Sequence, residues 1–154
     1  MLEIASARAS DLDDIRRMFR EYSALVSEAL CFQGFDRELE GLPGAYAPPS
    51  GALLIAREGA ASAGCVALRL LDPGTAEMKR MYVREAFRGS GLGRRLALAV
   101  IAEAKQRRCA RLVLDTLPKL SAAIALYRDL GFRETAPYLA RPTPGALCFE
   151  LSLS

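Results

Sequence analysis

Residues 77–100 read EMKRMYVREAFRGSGLGRRLALAV, an apolar strand-like run, then glycine at Gly89, Gly91 and Gly93, then the start of an amphipathic helix. In that helix Leu92, Leu96, Val100 and Ala104 recur every four residues, with Ala97 and Ile101 beside them, so one face is apolar over 91–108. Unpaired backbone N–H groups and the positive dipole end at a helix start attract phosphate. Glycine lets such a ligand come close to the backbone. Arg88, Arg94 and Arg95 add positive charge around the loop. A Walker A loop is excluded, because Arg94-Arg95 stand where Lys and Ser/Thr would be required. The dinucleotide fingerprint GxGxxG fails too, since Arg94 occupies the place of its last glycine. The plain alternative is a glycine-rich turn that does no more than enter the helix.

Outward from this loop the chain alternates between the two periods. Residues 2–7 form a strand-like run, and Ser10 with Asp13 three residues on predicts an N-cap. Leu12, Ile15, Met18, Phe19, Tyr22, Leu25 and Val26 then predict an amphipathic helix ending before Gly34. Residues 31–51 are irregular, with a short helical piece at 36–42 and breakers at Pro43-Gly44 and Pro48-Pro49. Strands are expected at 52–57, 62–71 and 76–83, the first two joined as a hairpin. After the helix at 91–108 come a strand at 110–115, a helix at 119–130 closed by Gly131, and strands at 132–134 and 146–153. Hairpin strands mixed with helical crossovers predict a mixed α/β (α+β) domain around one central, mostly antiparallel sheet flanked by helices.

With 154 residues, 51% of them hydrophobic and 25% charged, the chain suits one globular domain spanning 1–154. The net charge of +3 is scattered, which speaks against a nucleic-acid partner. No apolar run approaches the ~20 residues that cross a bilayer, so no membrane partner is expected. The start MLEIASARASDLDD lacks a basic region followed by an apolar one, from which a cytoplasmic address is expected. Cys31, Cys65, Cys109 and Cys148 form no CxxC pair and the chain has no histidine, so no metal site is expected; Cys65, Cys109 and Cys148, in or beside apolar strand-like runs, are read as buried side chains. Without histidine, acid–base work falls to Glu, Asp, Tyr, Lys, Cys or water.

RGSGLG at 88–93 resembles the Arg/Gln-x-x-Gly-x-Gly/Ala signature of the GNAT N-acetyltransferase superfamily. The similarity extends to Met81-Tyr82-Val83 before the loop and to AIALYRDLGF at 123–132, which is similar to the family's AxxLYxxLGF helix motif. The order of elements resembles the family fold from about residue 2 to residue 153, which implies a single GNAT-like domain with a splayed sheet. The resemblance implies acetyl-CoA as co-substrate, with Arg88, Gly89, Ser90, Gly91, Leu92, Gly93 and Arg94 around its pyrophosphate and the backbone of Met81, Tyr82 and Val83 along its pantetheine arm. Where the family often has Asn seven residues before the motif tyrosine, this chain has Leu120.

The implied reaction is transfer of acetyl to a primary amine, the acceptor being a small molecule rather than a protein. The other reading is a catalytically silent acyl-CoA-binding module. On the family pattern Tyr127 donates a proton to the departing sulfur, and a backbone N–H of Met81 or Tyr82 polarises the thioester carbonyl. Glu77 lies where many members place a base. At period two it shares a strand face with Lys79, Met81 and Val83 and would look down the cleft that Met81 borders; otherwise it pairs on the surface with Lys79 or Arg80. Phe32, Phe35, Tyr46 and Tyr138 are candidates for the acceptor pocket because they lie in irregular segments. The last strand is expected to offer an edge for a homodimer.

Overall fold

A computed structural model describes residues 1–26 and 34–153. The strands are β1 (Leu2–Ser6), β2 (Ala52–Glu58), β3 (Ala61–Asp72), β4 (Thr75–Val83), β5 (Arg111–Thr116), β6 (Arg133–Thr135) and β7 (Leu147–Ser152). The helices are α1 (Leu12–Val26), α2 (Phe35–Glu40), α3 (Leu92–Gln106) and α4 (Ser121–Asp129). Their order is the one the periodicities predict. Helix α1 does not start from a Ser10 cap. Residues Ala9–Asp11 form a 3-10 turn instead, and the Asp11 carboxylate accepts the Arg8 N–H at 2.8 Å. Cys31, Phe32 and the end expected for the first helix lie outside the described residues.

All seven strands make one sheet in the order β1-β2-β3-β4-β5-β7-β6. Every neighbouring pair is antiparallel except β4 and β5, which run parallel. That parallel seam is short: Thr75 pairs Arg111, Ala76 pairs Leu112 and Glu77 pairs Val113. Beyond Glu77 the two strands diverge and the sheet opens as a fork. Strand β7 lies between β5 and β6, paired with β5 along Leu147–Ser152 and with β6 at Cys148–Glu150, so it is an interior strand and not the sheet edge expected for it. It is recruited inward because β5 would otherwise leave a row of backbone donors and acceptors bare.

The two faces of the sheet bury separate cores. On one face Ile15, Met18 and Phe19 of α1 pack on Leu53, Ile55, Cys65 and Ala67. On the other, Leu92, Leu96 and Val100 of α3 and Tyr127 of α4 pack on Leu54, Val66, Leu68, Leu112 and Leu114. Cys65, Cys109 and Cys148 are buried and unpaired.

One irregularity decides which side chains reach the fork. Opposite Cys65 and Ala67 of β3 stand Tyr82 and Lys79 of β4, so β4 carries one residue more than its partner over this interval. Arg80 is in the left-handed region at φ 60°. This β-bulge reverses the alternation of side chains beyond it. Glu77, Lys79 and Tyr82 therefore face α1 and α2, whereas Met81 and Val83 pack with the core under α3 and α4. At Gly64, which pairs with Val83, an added Cβ would lie 2.6 Å from the Tyr82 carbonyl oxygen; only glycine permits this close approach beside the bulge.

Candidate active site

A cleft of about 500 Å³ opens between the end of β4, the glycine loop and the start of α4. Met81, Tyr82 and Val83 form one wall; Arg88, Gly89, Gly91, Leu92 and Gly93 form its head. Ser121, Ala122 and Ala123 close the far side. Gly91 caps α3 at φ 81°. An L side chain is strained there, although a Cβ would have no atom within 4 Å. The Arg88 N–H bonds the Glu85 carbonyl and the Arg95 N–H bonds Gly91 O. Between them, the N–H groups of residues 89–94 find no backbone acceptor among the described residues. They form a donor cluster at the positive end of a fifteen-residue helix.

The loop residues expected to act together are not all on the cleft. The Ser90 hydroxyl turns back to donate to Phe87 O. The Arg94 guanidinium pairs with Asp129 of α4 and lies outside the cleft wall. Arg88 is on the cleft, its Nε bonded to Val83 O at 3.0 Å and its guanidinium over the Tyr82 ring. Lys119, which belongs to no motif in the sequence, also lines the cleft. Leu120 precedes α4 with no side-chain cap on the helix and also lies on the cleft.

The cleft narrows into a small cavity of about 40 Å³ in the fork, which shares Tyr22, Met81, Leu120 and Ala123 with it. Tyr127 lines this inner cavity, its ring against Phe132 and Phe149 at 5.7 and 6.4 Å between centroids. Burial pushes its hydroxyl well above the usual phenol range, so the group carries its proton throughout the physiological range.

Glu77 does not border either space. It is fully buried, its Oε1 accepting from Arg69 Nε at 2.6 Å and its Oε2 from the Tyr138 hydroxyl at 2.5 Å. The expected shared face with Met81 and Val83 fails because of the bulge at Arg80, and its partners are not the expected Lys79 or Arg80. Of the aromatic candidates, Tyr138 binds Glu77, Phe35 is buried under the Arg80 guanidinium at 5.4 Å, and Tyr46 packs edge-on to Phe19 at 6.5 Å. Among the described residues, no group of three or more His, Cys, Asp or Glu is placed to hold a metal ion, and no helix is long and apolar enough to cross a membrane.

The acetyltransferase (GNAT) family model matches residues 12–132. An uncharacterized N-acetyltransferase of Schizosaccharomyces pombe is 39% identical over 146 residues, 94% of this chain and 90% of its own length. A Klebsiella pneumoniae protein assigned as an acyl-CoA N-acyltransferase superposes with a TM-score of 0.76 at 30% identity, covering 100% of this chain and 99% of that one. A Salmonella typhimurium protein assigned as an acetyltransferase, solved with its cofactor acetyl-CoA, shares the fold with a TM-score of 0.72 at 23% identity, covering 100% and 95%.

Proposed function

Because the chain belongs to the acetyltransferase (GNAT) family, we propose that it transfers the acetyl group of acetyl-CoA to a primary amine of a small molecule. The observation that carries this reading is the continuity of the site. An open strand edge beyond Glu77 runs from the donor cluster at Gly89–Arg94 to a buried tyrosine hydroxyl at the fork.

The residues present fit the co-substrate along its length. Backbone N–H groups of the glycine loop would hold the pyrophosphate, with Arg88 and Lys119 supplying charge at the rim. The unpaired edge of Met81, Tyr82 and Val83 would hydrogen-bond the amides of the pantetheine arm as an added strand does, against the apolar wall of Ala122 and Ala123. Arg94 would act only after leaving Asp129. The thioester supplies an activated acyl group. A backbone N–H of Met81 or Tyr82 would polarise its carbonyl, and the Tyr127 hydroxyl would donate to the sulfur as negative charge grows there. With its pKa raised by burial, that phenol is in its protonated form and so able to donate a hydrogen bond to the sulfur.

The test is consumption of acetyl-CoA over a panel of amines, namely the proteinogenic amino acids, putrescine, spermidine and phenethylamine, with mass spectrometry of the acetylated product. Turnover of any of them supports the reading. Tight CoA binding with no turnover would identify the silent acyl-CoA-binding module instead. Binding itself is read from melting, since a ligand at 100 times its Kd stabilises the native state by ~2.7 kcal/mol.

A further inference from the structure

Glu77 is not open to an acceptor amine's proton, because both of its oxygens are bonded and the residue is fully buried. The parallel register indicates where another carboxylate lies. Glu77 pairs with Val113, so two residues farther along each strand Lys79 and Asp115 stand across the fork from one another, where pairing has ceased. Both belong to the face that carries Glu77 and Val113. Both line the inner cavity, and among the described residues Asp115 is the only carboxylate that does so. Its Oδ2 accepts the Thr143 hydroxyl at 2.9 Å. Its Oδ1 has no hydrogen-bond partner among the described residues.

Resting on acetyl transfer to an amine, we propose that Asp115 is the catalytic carboxylate that receives the acceptor amine at the fork and takes its proton. Tyr127 reaches the same cavity from the α3 and α4 face. The proton donor and the proton acceptor thus stand on opposite faces of the sheet, with the gap between β4 and β5 left for the thioester. The amine enters from the α1 and α2 face. Its nitrogen attacks the carbonyl carbon, a C–N bond forms and the C–S bond breaks. The nitrogen's proton passes to Asp115 Oδ1, and the Tyr127 hydroxyl gives its proton to sulfur. Asp115 then releases a proton to water and Tyr127 regains one, so the cycle closes on an amide and a thiol. Arg69 and Tyr138 make Glu77 a positioning residue that ties β3, β4 and the loop before β7 around the seam.

The charged and titratable groups facing Asp115 come from each surrounding element: Lys79 and Glu77 from β4, Cys148 from β7, Tyr138 from the loop before it and Tyr22 from α1. Arg80 and Tyr127 line the same cavity. The acid limb of kcat, which reports ionisations in the bound complex, therefore needs comparison between variants.

The experiment compares wild type, Asp115→Asn, Glu77→Gln and Tyr138→Phe with whichever amine of the panel turns over fastest. Tyr138→Phe is included because it loosens Glu77 without burying a new polar group should Glu77→Gln fail to fold. Asp115→Asn is expected to lower kcat/KM by about 100-fold or more, remove the acid limb of kcat, and weaken calorimetric binding of the amine to the CoA-loaded protein while leaving CoA affinity unchanged. Tyr138→Phe and Glu77→Gln are expected to keep the acid limb. Wild-type kcat/KM in Asp115→Asn, or an acid limb lost in the Glu77 and Tyr138 variants and kept in Asp115→Asn, overturns the assignment. Wild-type protein that binds CoA yet acetylates no amine overturns the transfer reading itself, a failure seen before any variant is made.

Discussion

Arg80 and Glu38 meet as a fork on a fork: Nε donates to one Glu38 carboxylate oxygen and a terminal guanidinium nitrogen to the other, each at 2.8 Å. The contact fastens α2 to the bulge that redirects β4. Both side chains are shielded, 3% and 18% exposed, and Phe35 covers the guanidinium. Glu38→Ala would remove both of these charge-assisted hydrogen bonds from a buried cation, at a cost of about 3 kcal/mol. Urea denaturation should show the midpoint falling with the slope unchanged; an unmoved midpoint would contradict the role given to this pair.

Stability should decline in acid through three carboxylates. Hydrogen bonds from the Arg8 backbone and the Arg57 side chain lower Asp11 from its ordinary 3.8, and the Arg84 hydrogen bond lowers Glu21 from 4.5. At Glu38 burial opposes ionisation, but the hydrogen bond and charge of Arg80 outweigh it, so this pKa also lies below 4.5. A folded-state pKa below the unfolded one means the unfolded chain binds more protons. The stabilisation is then complete above about pH 4.5 and is lost as pH falls through the folded values. Melting curves taken downward from pH 6 should be flat at first and then fall. A decline that begins near neutrality would point to other groups.

Gly91→Val should abolish CoA binding while circular dichroism stays native. No protein atom obstructs a Cβ at this position, so the cost to the fold is that of φ 81°, about 1–2 kcal/mol for an ordinary L residue and more for a β-branched one, whereas the loss of CoA would come from a side chain standing where phosphate must approach the loop. Gly91→Asn should be the milder change, since asparagine tolerates this region. Calorimetry that found equal affinity in both variants and wild type would remove the loop from the cofactor site.

Arg88→Ala should weaken CoA chiefly at low salt, as befits a screened contact at an exposed rim. Arg94→Ala should do less, because that guanidinium pairs with Asp129 and both side chains are largely in solvent. The reverse ranking, measured as Kd against ionic strength, would mean that Arg94 turns into the cleft when ligand arrives.

Tyr127→Phe should reduce kcat by about 100- to 10,000-fold and leave CoA affinity and melting temperature near wild type. The ring contacts with Phe132 and Phe149 survive the change. Full activity in this variant would remove the hydroxyl from the chemistry.

Elements whose periodicity reports burial could be read from the sequence: the apolar stripe of Leu92, Leu96 and Val100, the hairpin around Gly59-Ala60, and the glycine loop itself. What could not be read depended on a single extra residue or on distant contacts. Arg80 looks like any other strand residue in the sequence, yet its left-handed backbone reverses the facing of Met81 and Val83. Tyr138 lies 61 positions from Glu77, and no local pattern joins them. Asp115 stands at the end of an apolar run and reads as a strand terminus; only the parallel pairing of Glu77 with Val113 sets it beside the fork. Lys119 was missed because one lysine between a proline and a leucine carries no motif.

Among the described residues, backbone pairing between the sheet's two halves is confined to the three residue pairs joining β4 to β5 and to the Gly74 carbonyl, which accepts the Ala110 and Arg111 N–H groups at 2.8 and 3.2 Å. On either side of that seam the strands are tied far more extensively, from Leu2 to Val83 on one side and from Arg111 to Ser152 on the other. The molecule is thus two stiff plates sharing a short hinge. A ligand bound along the fork spans both plates and works as a strut, so slow amide exchange would spread from the seam outward when the cleft is filled.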